Sequence, residues 1–200
     1  MLRANFLGAH IMDAFSYLSV LISIILGLAV TQVLQGFRGL MLARSRVRAY
    51  WPALVWAVLV LVLCVQVWWA MFGLSQRPAA RWTFLDFGLV LLQTVPLYLM
   101  AGLVLPDIDA ERGLDLRDHY YAHHRWFFSL LVLLILVSLL KVRILIGHWP
   151  GPKDRAFQLA FVVPSSIGAW TRREWYHKLQ APLAVVGLGA YIATLFTHLQ

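Results

Sequence analysis

The sequence predicts an all-α fold, a polytopic bundle of transmembrane helices, on three observations. Segments 15–37, 52–74, 84–105, 126–146 and 181–199 are each predominantly apolar. A helix rises about 1.5 Å per residue, so about 20 such residues cross about 30 Å of hydrocarbon. The composition, 61% hydrophobic and 13% charged with a mean hydropathy of +0.74, lies far from that of a water-soluble domain. The longest polar stretch, 107–125, is well below the roughly 40 residues a self-standing domain needs, so residues 1–200 read as a single transmembrane domain.

Taken in order, the first segment is read as a retained span. It is longer than the apolar core of a signal peptide, and Arg3 is the one positive side chain before it. The second carries the sole cysteine, Cys64, at mid-helix, where it acts as a small apolar residue. Pro96 in the third frees a backbone carbonyl one turn earlier and predicts a bend. Segment 156–170 is the difficult one: it gives about 22 Å of helix, and Gln158, Pro164, Ser165 and Ser166 interrupt it. Arg155 on one side and Thr171, Arg172 and Arg173 on the other bracket it as polar flanks bracket a crossing helix, so six spans are expected. Five spans plus a re-entrant segment is the alternative.

Orientation follows from the positive residues, which are retained on the cytoplasmic side. With six spans, one face collects Arg38, Arg44, Arg46, Arg48, Arg112, Arg117, Arg125, Arg172, Arg173 and Lys178, and the other receives the remaining seven of the seventeen Lys and Arg. Both termini then lie outside, as in a bacterial inner membrane. If 156–170 does not cross, three positives change sides and the orientation reverses. Three arginines in loop 43–50 favour anionic lipid headgroups as partners; nucleic acid is not expected, since no basic soluble surface exists to carry it. Trp51, Trp82, Trp126, Trp149, Trp170 and Trp175 fall at span ends and read as interfacial anchors.

Several polar residues fall within the spans. Ser19, Ser23, Gly27, Thr31 and Gln35 recur every four residues and form a ridge expected to pack against another helix, with the last span, through Gly189 and Ala193, as the partner. Gln66 and Gln93 lie near mid-membrane, where an amide needs a hydrogen-bond partner. Asp86, Lys141 and Arg143, joined by Asp13, fall at similar depth on one face and are the candidates for a fixed ion pair or an ion gate, with Asp86 expected to pair with Lys141 or Arg143.

The densest chemistry precedes the fourth span. In a helix, His119 and His123 stand one turn apart, a spacing that lets two imidazoles reach one metal. Glu174 and His177 would share that face of the membrane and supply further ligands, so Zn or Fe is the cofactor the segment could take alongside His124. His119-x-x-x-His123-His124 resembles one histidine box of the membrane fatty-acid desaturase and hydroxylase family, di-iron enzymes whose boxes face the cytoplasm. The resemblance covers six residues; that family's site draws on several such boxes, whereas His10, His148 and His198 are isolated here. No phosphate loop, nucleophile elbow or paired intramembrane carboxylate is present. The expected function is therefore small-solute or ion transport, or a subunit of a membrane complex or homo-oligomer, with a metalloenzyme built on the histidine segment as the alternative.

Overall fold

The computed structural model describes residues 14–75, 83–107 and 114–195. Asp13 and the loop holding Arg77 and Arg81 lie outside the described residues. Six helices, α1 (Ala14–Leu42), α2 (Trp51–Ser75), α3 (Phe84–Val104), α4 (Leu116–Ile146), α5 (Pro152–Trp170) and α6 (Glu174–Leu195), surround one apolar core. Two short strands, β1 (Val47–Arg48) and β2 (Leu114–Asp115), pair in parallel. Four helices, α1 to α4, are long and apolar enough to cross a membrane.

The helix ends are set by local chemistry. Thr83 and Asp86 form a reciprocal capping box at the start of α3: the Asp86 amide donates to the Thr83 hydroxyl at 3.2 Å and the Thr83 amide donates to the carboxylate at 3.1 Å. Asp115 caps α4 by accepting the Arg117 amide at 2.8 Å. That cap starts α4 ten residues ahead of the expected span, so the histidine segment forms its first turns. Gly147, at φ 85°, ends α4 in the left-handed conformation that glycine adopts without a Cβ clash. Arg143 donates to its carbonyl at 2.6 Å.

Solvation of the bundle is inverted relative to a soluble protein. Val20, Ile24, Leu28, Val58, Val65, Leu92, Leu133, Leu136 and Leu140 face outward, while Asp86, Gln93, Thr94, Lys141, Gln158, Ser165, His177 and Gln180 are buried. An apolar surface this extensive is excluded from water and suits hydrocarbon. Trp51, Trp126, Trp149, Trp170 and Trp175 are exposed at helix ends, as anchoring requires.

The two ends of the bundle differ. The α1–α2, α3–α4 and α5–α6 connections meet at one end, where β1 pairs with β2, the Leu114 amide donates to the Arg46 carbonyl at 3.3 Å and Arg117 pairs with Glu174 at 2.9 Å. The α4–α5 connection lies at the other. Along α4, Tyr120 at the first end and Lys141 near the second are separated by about 31 Å of helix rise. α5 and α6 run between those levels: Asp154 and Tyr191 meet near Lys141, and His177 meets Tyr120. α5 therefore carries the chain from one end of the bundle to the other and does not turn back midway.

The ridge on α1 is a correction. Ser23, Gly27, Thr31 and Gln35 face outward, Ser19 is half-buried, and a Cβ built on Gly27 meets no atom within 4 Å. The ridge can afford this position because its hydroxyls bond their own helix, Ser19 to the Ser16 carbonyl and Thr31 to the Gly27 carbonyl, both at 2.8 Å. The buried stripe is instead Leu18, Ile22, Leu26, Ala29 and Val33, which packs on α2 and α3. α6 packs against α2 and α5, not against α1 as expected, and Gly189 is open. The close approach on α1 falls at Gly36, where an added Cβ would stand 2.6 Å from the Leu105 Cβ.

These positions predict opposite outcomes for one substitution. Gly36→Leu should destabilise the protein by roughly 1 to 3 kcal/mol through overpacking, whereas Gly27→Leu should leave thermal stability in detergent nearly unchanged. Equal losses at the two sites would show that α1 buries both faces.

Candidate functional site

Two groups of polar side chains lie inside the bundle, one at each end. At the loop end, α4 and α6 are tied by a ring of aromatic and imidazole side chains. Tyr120 donates its hydroxyl to His177 Nδ1 at 2.9 Å, and His177 Nε2 lies 3.0 Å from the Thr171 carbonyl. A carbonyl only accepts, so Nε2 carries the proton and the ring is in its neutral Nε2–H form. His124 Nδ1 donates to the Tyr121 carbonyl at 2.8 Å by the same argument, which leaves a buried Nε2 without a partner. The Tyr50 and Tyr121 hydroxyls are 3.1 Å apart, and burial, followed by that contact, pushes the Tyr50 phenol above its ordinary value. Lys178 and Arg117, each 2.9 Å from the Glu174 carboxylate, hold it below the usual carboxylate range.

This geometry disperses the five residues considered as metal ligands. His119 donates Nε2 to the Leu103 carbonyl and His123 donates Nδ1 to the His119 carbonyl, both at 3.0 Å. Those two rings stack on each other at 4.5 Å between centroids, whereas His124 faces His177 at 5.7 Å. Glu174 is engaged by two cations. Among the described residues, no three of His, Cys, Asp and Glu converge as one metal's ligands would. The spacing argument put His119 and His123 on one face correctly as helix geometry, but their protons go to backbone carbonyls.

At the opposite end, α2, α3, α4, α5 and α6 enclose a cavity of about 310 Å³, the lower end of the range for small-ligand sites. Gln66 and Gln93, read separately from the sequence as mid-membrane amides, both line it, as do Ser138, Lys141, Asp154, Gln158 and Tyr191. The remaining wall is apolar, with Leu59, Leu131, Phe161 and Leu188 among its residues. Asp154 Oδ1 accepts from Gln158 Nε2 at 2.7 Å and from the Tyr191 hydroxyl at 2.9 Å. Gln93 Oε1 and Gln158 Oε1 are buried with no hydrogen-bond partner.

Lys141 is the most unusual residue of the cavity. Its side chain is 6% exposed, and among the described residues no hydrogen bond or ion pair engages its ammonium. Asp154 is close enough to act on it electrostatically, yet no contact of ion-pair length joins the two. The expected pairing of Asp86 with Lys141 or Arg143 is a correction: among the described residues no ion pair links them. The Asp86 carboxylate turns to its own helix start through the capping box, and Arg143 turns to the Gly147 carbonyl. Similar depth did not mean contact, because the α3 start needed a cap and the α4 end needed a donor.

Asp154 and Tyr191 were not singled out in the sequence. Asp154 sits between Lys153 and Arg155 ahead of segment 156–170, and Tyr191 falls in the middle of the expected last span. The available signal is the four-residue step from Asp154 to Gln158, which places two polar groups on one face of a short helix.

Compared with known proteins, the chain matches no family model, no curated protein and no solved structure. The site therefore rests on its geometry.

Two measurements test this geometry. Lys141→Met should raise the melting temperature in detergent by about 2 °C or more, since it removes the cost of a buried charge without an ion-pair partner; a fall would show that the ammonium is structurally engaged. Tyr120→Phe should cost about 1 to 3 kcal/mol by leaving His177 Nδ1 buried without its donor, and unchanged unfolding would show that water replaces the phenol.

Proposed function

We propose that this chain is an integral membrane protein that admits a small polar solute to the cavity between α2 and α6. Under this reading all six helices cross the membrane. The observation that carries it is Lys141, a buried cation without an ion-pair partner facing an internal cavity that also holds a carboxylate and two amides with unpaired oxygens. A charge within a span is costly, and such groups characteristically face the bundle interior and mark solute or ion pathways. The gate role considered for Asp86 passes to Lys141 and Asp154.

The arginine-rich loops support an orientation. Arg44, Arg46, Arg48, Arg117, Arg125, Arg172, Arg173 and Lys178 lie in or beside the three connections that meet at one end. With those connections in the cytoplasm of a bacterial cell, Lys141 and Asp154 lie toward the outer side of the inner membrane and both termini are outside. Anionic headgroups are the natural partners of the arginine face.

Cysteine chemistry tests the cavity. In a Cys64→Ala background, Ser138→Cys should react with a small water-soluble thiol reagent, while Ser23→Cys on the outward face of α1 should not, since a thiol in lipid ionises poorly. An inert Ser138→Cys would mean a dry cavity and would remove the basis of the reading. Alkaline phosphatase fused after Gln200 should be active in the periplasm; an inactive fusion, with a cytoplasmic reporter bright at the same position, would reverse the orientation.

A further inference from the structure

The cavity is divided along its length. Lys141 lies about 8 Å of helix rise before the end of α4, Asp154 and Gln158 lie within the first two turns of α5, and Gln66 and Gln93 come next in depth, each nine residues from its helix end. Beyond them, Leu59, Leu131 and Phe161 form an apolar compartment that reaches Trp56. One half thus presents polar groups, and the other presents carbon surface that ends at Trp56, whose buried indole N–H has no hydrogen-bond partner among the described residues.

The polar half is charge-balanced, and its two charges are not paired with each other. Lys141 supplies one positive charge and Asp154 one negative charge, and no ion-pair contact joins them. The two unpaired oxygens, Gln93 Oε1 and Gln158 Oε1, are both acceptors, and Gln158 is hydrogen-bonded to Asp154. Gln158 Nε2 and the Tyr191 hydroxyl donate to one oxygen of the carboxylate, while the two amide oxygens and Lys141 line the same space. A simple organic anion would satisfy Lys141 but would meet Asp154 and the amide oxygens unfavourably. A simple ammonium would have the opposite fault.

We infer that the cavity binds an α-amino acid zwitterion with an apolar side chain, a reading that rests on the solute-admitting cavity proposed above. The ligand carboxylate pairs with Lys141, and its ammonium donates to Asp154 and the Gln158 oxygen. The side chain lies in the apolar compartment between Leu59, Leu131 and Phe161. Size agrees: about 310 Å³ lies at the lower end of the range of small-ligand sites, as an amino acid requires. Binding leaves both protein charges paired, which removes the cost of burying them apart.

The test is equilibrium binding to the purified full-length protein in detergent, using L-leucine and L-phenylalanine as probes. Octanoate lacks the ammonium, octylamine lacks the carboxylate, and glycine lacks the side chain. The two amino acids should bind at least about tenfold more tightly than any of the three. Lys141→Met and Asp154→Asn should each weaken leucine binding by about tenfold or more. The wild-type selectivity stands as a test even if a variant folds poorly. Octanoate binding as well as leucine would overturn the inference in favour of an amphipathic anion. No binding of either amino acid, with Ser138→Cys still reactive, would overturn it while leaving the solute-admitting cavity standing; an inert Ser138→Cys would remove both.

Discussion

A helix bundle with hydrocarbon against its flanks has no water there to solvate a polar side chain, so every such group must find a partner within its own helix, inside the bundle or at its ends. The layout of this protein follows from that constraint. Serine and threonine meet it locally, by bonding to a carbonyl one turn back, as Ser19 and Thr31 do on α1. Longer groups cannot do so. Gln180 and Tyr176 of α6 reach the Pro164 carbonyl of α5 at 3.1 and 2.7 Å, and their bonds tie the final hairpin together. The approach is close enough that a Cβ on Gly168 would stand 2.7 Å from the Gln180 oxygen.

The same constraint separates the two polar groups of the interior. At the loop end, nearly every donor has a backbone or side-chain acceptor, and the rings of Tyr50, Tyr120, Tyr121, His124 and His177 pack edge to face around them. That arrangement is a structural knot: it fastens the first turns of α4 and α6, and among the described residues it leaves the His124 Nε2 and Trp56 Nε1 nitrogens without a partner. The other end is the reverse. Asp154 is held by Gln158 and Tyr191, but no ion pair joins it to Lys141, and the cavity lies among them. A group held apart from its natural partner at a cost in stability is the signature of a site kept for something else.

The sequence exposes its periodic and compositional features well and its pairwise contacts poorly. Helix existence and the length and apolarity of α1 to α4 were legible, because each depends on a local run of residues. Gln66 and Gln93 were legible as amides in need of partners, but not as neighbours in a shared cavity. The α1 ridge was legible as a pattern and misread as a contact, since small residues at a spacing of four fit a helix neighbour and equally fit lipid when their hydroxyls bond their own backbone. Asp86 shows the same limit: its carboxylate has a capping role with Thr83, three residues away, and among the described residues no ion pair joins it to Lys141 or Arg143.

Alone, the sequence determined that this is a bundle of helices with an apolar exterior and arginine-rich connections, because hydropathy, length and charge count act through one segment at a time. Which polar residues meet was decided only by the tertiary structure. Lys141, Asp154, Gln158 and Tyr191 come from three helices and share one cavity through the crossing of α5 alongside α4, and the histidines that looked alike along the chain divide between two sets of neighbours. Rotation of a helix by a single residue changes the direction of a side chain by about 100°, and only packing against the other helices fixes that rotation.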